Sequence, residues 1–250
     1  MLKFIVLGAI QGLTEFLPVS SSGHLVIAQH FLGLGQDKNV IFLDVLLHIG
    51  TVLALLTFFF KDIISALKNF KMIGYIAVVT LITGIIGITF KKIFESFFHS
   101  VLYVAVFLIF NGFILILTRF FRDGQREPNI IDSTIMGAAQ GLAIAPGISR
   151  SGMTIAVLLS RGIKKEEAVR FSFMASIPAI IGAFFMELKD MPSFSVFNPK
   201  ELIYSMGTSY LFGLVALLLL MKTVKMKKFY LFGYYCFILG ISLLFFSFSP

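Results

Sequence analysis

The stretch "QGLTEFLPVSSSGH", Gln11 to His24, sets a carboxylate, three adjacent hydroxyls and an imidazole inside an apolar N-terminal region. A matching stretch recurs 129 residues later: Gly8, Ala9, Gln11, Gly12, Leu13, Ser20, Ser22 and Gly23 fall on Gly137, Ala138, Gln140, Gly141, Leu142, Ser149, Ser151 and Gly152. Eight identities in sixteen positions, where roughly one arises by chance, mark an internal repeat. Without a gap, the same offset pairs Gly33 with Gly162, Phe42 with Phe171, Tyr75 with Tyr204 and Gly84 with Gly213. The chain therefore reads as one membrane domain, 1–250, built from copies 1–121 and 130–250 and joined by the linker 122–129, "RDGQREPN".

Composition places both copies in a bilayer. Of 250 residues, 58% are hydrophobic and 14% charged, and apolar runs recur that are long enough to cross a hydrocarbon core about 30 Å thick. The formal charge of +8 does not indicate nucleic acid, because Lys and Arg cluster in short connectors between apolar runs rather than along one face. The start "MLKFIVLGAI" resembles a signal peptide, but no small-x-small cleavage pattern follows and a related stretch stands mid-chain, so it is expected to remain in the mature protein. The single cysteine, Cys236, excludes an intrachain disulfide and a thiolate metal cluster.

Within each copy the apolar runs are of two kinds. Residues 40–60, 73–90 and 100–121, with their counterparts 171–188, 202–221 and 229–248, are each long enough to span. The segments 2–17 and 22–34, with counterparts 131–145 and 151–163, are too short, and each pair is broken by Pro18 or by Pro146 and Gly147. Short paired helices around such a break predict a re-entrant hairpin. Three spans per copy is an odd number, so the second copy is inverted relative to the first. The predicted fold class is an all-α polytopic membrane protein of two inverted-topology repeats, each a re-entrant hairpin plus three transmembrane helices. On that topology fourteen basic residues fall on one side and six on the other, which makes the richer side cytoplasmic and puts both termini outside. The basic residue left over is Arg150, at the tip of the second hairpin.

Two hairpins entering from opposite faces bring "PVSSSGH" and "PGISRSG" together near the midplane, where an unpaired charge is costly. The tips have diverged in a complementary way. Glu15 aligns with Ile144 and Ser21 with Arg150, so the first copy contributes a carboxylate, Ser20, Ser21, Ser22 and His24, and the second a guanidinium, Ser149, Ser151 and Thr154. Gln11 and Glu15, four apart on a helix, share a face directed at the tip. One Arg, two helix N-termini and clustered hydroxyls form a phosphate cradle. A bare carboxylate would repel phosphate oxygens, and a hard divalent cation resolves the conflict while stabilising charge in a phosphoryl-transfer transition state.

"QGLTEFLPVSSSGH" and "PGISRSGMT", Pro146 to Thr154, resemble two motifs of the integral-membrane undecaprenyl-diphosphate phosphatases, the bacitracin-resistance family. The similarity covers essentially the whole chain, with Gln11 standing where many members carry Glu. The resemblance implies hydrolysis of undecaprenyl diphosphate to undecaprenyl phosphate and inorganic phosphate, which recycles the lipid carrier for peptidoglycan and cell-wall synthesis in the bacterial inner (plasma) membrane. It implies a divalent cation, Mg²⁺ or Ca²⁺, as cofactor, and a polyprenyl diphosphate and membrane lipids as partners; a second copy of the chain, in a homodimer, is the further candidate partner.

On this reading Glu15, with Gln11, binds the metal; Arg150 clamps the diphosphate; His24 is the general acid or base, or a nucleophile; and Ser21 is a nucleophile or a donor to phosphate. Gln11, Ser20, Ser22, Ser149, Ser151 and Thr154 bind substrate. Attack by serine, by histidine or by metal-bound water remains open at this level. Plainer roles compete: His24 as a packing residue, Ser22 and Ser151 as helix caps, Glu15 as the counterion of Arg150. Asp44 and His48, four apart inside a span, contact the metal or support the site, or else make a helix-end hydrogen bond or line a cavity. The 30 phenylalanines face lipid or wall the prenyl chain. A transporter or flippase of a polyprenyl phosphate lipid is the alternative class, since inverted repeats and broken helices also mark carriers. The outer side, where the used carrier is left, is the expected opening of the site.

Overall fold

Leu17 precedes a proline, so it is driven out of the helical region, and α1 (Leu2–Phe16) stops there with Leu17 extended at φ −67°, ψ 145°. In this computed structural model, which describes residues 1–34, 38–188 and 199–248, the chain then turns through Pro18–Ser20 into α2 (Ser21–Phe31). Ser20 sits at φ 69°, a left-handed conformation that its capping role stabilises: its Oγ accepts the Gly23 N–H at 3.3 Å. The second half repeats the device. After a capping box of Asn129 and Asp132, α8 (Ile130–Leu142) ends in a turn containing Gly147 at φ 101°, and α9 (Arg150–Ser160) starts with Ser149 Oγ accepting the Gly152 N–H at 3.1 Å. The caps are therefore Ser20 and Ser149, not Ser22 and Ser151 as the sequence suggested; the helices open two residues earlier than those caps would place them.

The remaining elements are α3 (Lys38–Phe58), α4 (Phe60–Leu67), α5 (Phe70–Thr89), α6 (Lys91–Phe98), α7 (Val101–Leu117, continued by a 3₁₀ turn to Phe120), α10 (Lys165–Leu188), α11 (Pro199–Lys225) and α12 (Leu231–Phe248). The expected span 40–60 is corrected at its end: the helix bends by 77° into α4, because Phe59 leaves helical geometry to pack in the core beside Phe58 and Phe173. The short helix α6 was not foreseen. Among the described residues four helices are long and apolar enough to cross a membrane, or five when the bent α3–α4 pair is one span; the apolar part of α12, Leu231–Phe245, is shorter. This is an all-helical, polytopic membrane protein.

Burial follows the bilayer as solvent. Leu81, Ile88, Phe113, Leu211, Leu218, Ile238 and Phe245 are exposed, whereas Gln11, Glu15, Ser20, Asn111, Gln140, Ser149, Ser151, Thr154 and Ser172 are buried. Helices meet where side chains are smallest. A Cβ on Gly8 would strike the Ser205 carbonyl, and one on Gly12 would lie 2.5 Å from Ser209 O, so α1 lies directly on α11. Gly137 and Gly141, their matches in the second half, bring α8 onto Ile82 and Ile86 of α5. The Gly-x-x-x-Gly part of the repeat is thus a helix-packing surface. Packing partners are exchanged between the halves: α1 and α3 lie on α11, α8 and α10 on α5, and α7 pairs with α12.

Candidate active site

Both hairpins end against α7, and their tips touch. Ser20 Oγ accepts the Gly147 N–H at 3.0 Å, Ser151 Oγ donates to Leu17 O at 3.3 Å, and a Cβ on Gly152 would meet Pro18 Cβ at 3.2 Å. Asn111 of α7 joins them from the side. Its Nδ2 donates to Pro18 O at 3.0 Å and its Oδ1 accepts the Ser149 N–H at 3.1 Å, so one fully buried amide holds a backbone group of each tip. Nδ2 also lies 3.4 Å from Cys236 Sγ.

That contact puts the two charged residues together. Arg150 Nη2 donates to Glu15 Oε1 in a buried ion pair. The other carboxylate oxygen, Oε2, accepts from Ser21 Oγ at 2.6 Å and from Gln11 Nε2 at 3.1 Å, and His48 Nε2 stands 3.5 Å away. Glu15 is therefore the hub of the site, with groups from α1, α2, α3 and α9 converging on it. Two atoms here are buried without a hydrogen-bond partner among the described residues: Arg150 Nη1 and Gln11 Oε1. An orphaned guanidinium N–H inside a membrane protein costs free energy comparable to a lost hydrogen bond, and a ligand oxygen would relieve it.

The other predicted residues fall at graded distances from this hub. His24 does not reach Glu15 or Ser21 by any bond in the structure; its Nδ1 meets Ser20 O at 2.8 Å and its Nε2 meets the Tyr235 hydroxyl at 2.7 Å, with the two rings nearly parallel. Ser22 lies 3.4 Å from Ser20, and Ser149 lies 3.2 Å from Ser151. Thr154 turns toward α10, where it shares a 2.6 Å hydrogen bond with Ser172. Asp44 engages His48 through its backbone carbonyl, 2.7 Å from Nδ1, while its carboxylate accepts from Gln29 Nε2 at 2.7 Å.

Sequence reasoning missed Asn111, Tyr235, Ser172 and Gln29. Asn111 carried a signal, as a lone amide within the apolar run "VLYVAVFLIFNGFILIL". Tyr235 carried none, since a tyrosine in a span is common and only the α7–α12 pairing delivers it to His24.

A family model described as bacitracin resistance protein BacA matches residues 4–242. The chain belongs to this family. Relatives named undecaprenyl-diphosphatase cover nearly all of it: one from Alkaliphilus metalliredigens is 40% identical over 270 residues, 98% of each chain. One from Halothermothrix orenii is 42% identical over 251 residues, covering 97% of this chain and 96% of its own. A relative from Methanosphaera stadtmanae is 38% identical over 268 residues, 96% of each. The BacA family match extends over both hairpins, so the Glu15–Arg150 hub lies within it.

Proposed function

We propose that this protein hydrolyses undecaprenyl diphosphate to undecaprenyl phosphate and inorganic phosphate, as the names of its relatives indicate for them. The observation that carries the reading to named atoms is the buried, unpartnered Arg150 Nη1 beside a carboxylate that already engages a serine hydroxyl. Resistance to bacitracin fits the same family.

Arg150 binds a diphosphate oxygen through its unpartnered Nη1 while Nη2 holds Glu15, and stabilises charge as the anhydride bond breaks. Ser21 is the nucleophile: its O–H lies 2.6 Å from Glu15, a base within hydrogen-bond reach, whereas His24 is held by Ser20 and Tyr235. Ser21 Oγ attacks the terminal phosphorus, its proton passes to Glu15, and undecaprenyl phosphate leaves and takes that proton from Glu15. Water then attacks the serine-bound phosphorus, giving a proton to Glu15, which returns it to Ser21 Oγ as inorganic phosphate departs. The backbone N–H groups opening α2 and α9 and the hydroxyls of Ser22, Ser149 and Ser151 surround the phosphate; Thr154 and Ser20 fix the two tips.

The donor set suits a hard cation in kind. Glu15 and the orphaned Gln11 oxygen are the residues that would hold Mg²⁺ or Ca²⁺, whose chemistry here is to neutralise diphosphate oxygens as a Lewis acid. Among the described residues no three His, Cys, Asp or Glu side chains converge as a metal cluster, so oxygens of the substrate must complete the shell.

The exchanged packing of α1 on α11 and α8 on α5 supports two inverted copies with six spans, α12 and the α3–α4 pair included. The charge asymmetry supports both termini on the outer side of the plasma membrane, and the mouth of the site is placed on that side because the used carrier is left there. Phosphate release from undecaprenyl diphosphate by purified protein in detergent tests the reading. It is expected to stop in EDTA and return with added Mg²⁺ or Ca²⁺. Transport of lipid without phosphate release would instead place the protein among carriers.

A further inference from the structure

His48 approaches Glu15 in an arrangement that a hydrogen bond does not explain. Its Nδ1 faces the Asp44 backbone carbonyl at 2.7 Å, and a carbonyl only accepts, so Nδ1 carries the hydrogen. In the neutral ring Nε2 is then a bare lone pair directed at Glu15 Oε2, itself an acceptor, 3.5 Å away. An ion bound between the two atoms would replace this pairing of acceptors with two metal bonds. Two atoms bound to one metal ion at about 2.1 Å each, and 90–110° apart, lie about 3.0–3.4 Å from one another. The observed 3.5 Å lies just beyond that edge, so a small approach of the two atoms would bring both onto one ion.

The third atom is the Gln11 oxygen, buried and without a donor among the described residues, on the side chain whose Nε2 lies 3.1 Å from Glu15 Oε2. A half-turn of this amide exchanges its oxygen and nitrogen and presents the oxygen on the Glu15 side. The Nδ1–H to carbonyl bond of His48 is the outer hydrogen bond that fixes the tautomer of metal-binding histidines.

We propose that His48 Nε2 is a ligand of the divalent cation, together with Glu15 and Gln11, so that the site is a mixed nitrogen and oxygen centre rather than an all-oxygen one. The inference rests on the reading that a cation acts at Glu15. An imidazole ligand favours transition metals over Mg²⁺ and Ca²⁺, so the site binds Mn²⁺ and Co²⁺ more tightly than either.

The test is pulsed EPR of Mn²⁺ added to the metal-stripped full-length protein in detergent, with and without ¹⁵N-histidine labelling. Wild type is expected to show one directly bound imidazole nitrogen whose coupling changes with the label. His48→Gln is expected to lose that coupling and to bind Mn²⁺ about tenfold or more weakly, while His24→Ala keeps it. Bound Mn²⁺ without nitrogen coupling in wild type overturns the proposal and leaves the cation reading standing. Coupling that survives in His48→Gln overturns it too. No Mn²⁺ binding, with phosphate release that persists in EDTA, removes the cation reading and this proposal together.

Discussion

Arg150 and Glu15 neutralise each other where neither could stay alone, and this fixes what each substitution does. Removing one partner of a buried pair leaves an uncompensated charge and costs about 3–5 kcal/mol, more than the pair itself contributes. Glu15→Gln therefore lowers stability as well as activity, and thermal unfolding in detergent measures the first separately from the second. Arg150→Lys keeps the charge but loses the fork that serves Glu15 and the diphosphate at once; phosphate release is expected to fall by about 10²–10³, the scale of a lost transition-state donor. Ser21→Ala is expected to abolish turnover, and acid quenching of wild type to trap phosphate on Ser21, detected by mass spectrometry; turnover that survives in Ser21→Ala assigns the attack to water. Glu15 and Arg150 were legible because charges in apolar runs are expensive and must meet something. The division of labour among the serines was not, since capping and substrate contact use the same residue type and differ only in where the helix starts.

Helices set the precision of that hub. Asn111 ties Pro18 to Ser149, one residue before Arg150, so Asn111→Ala frees the second tip relative to the first. The expected outcome is a kcat loss of about 10²-fold with KM little changed, because a misplacement near 1 Å costs that much in the chemical step; a purely structural role would lower folded yield without splitting kcat from KM. Gly12→Ala drives a Cβ into Ser209 O on α11 and is expected to destabilise by about 1–3 kcal/mol in thermal unfolding. The linker has its own anchor. Hydrogen bonds from Lys165 and Lys227 hold the exposed Asp123 carboxyl below the ordinary carboxylate range. A depressed folded pKa contributes stability that is present above the ordinary value near 4 and is lost as pH falls through the folded one. Asp123→Asn should lower Tm relative to wild type at pH 7, and the difference should vanish in acid. The hairpin breaks were readable from Pro18, Pro146 and Gly147. The α3–α4 bend was not, because no Pro or Gly stands at Phe58–Phe60 and its cause is the packing of Phe59 against Phe173 of α10.

At the scale of the molecule, one offset of 129 residues marked both helix breaks in the sequence, but not which helices pack on which, α1 on α11 and α8 on α5. How tips from two halves interlock depends on contacts across more than 100 residues, which periodicity does not encode. The proposed orientation, both termini outside, predicts that a tag at either end is reached by protease in intact cells and that cysteine at position 21 is labelled from outside; labelling from the cytoplasm alone reverses the orientation. We propose that Glu15 of one hairpin and Arg150 of the other form a single phosphatase site. A double-mutant cycle on phosphate release from undecaprenyl diphosphate tests it most directly, using Glu15→Gln, Arg150→Ala and both together. A single site predicts that each substitution alone removes nearly all release and that the double variant is no worse than either. Losses that multiply, or release that survives Arg150→Ala, would contradict it.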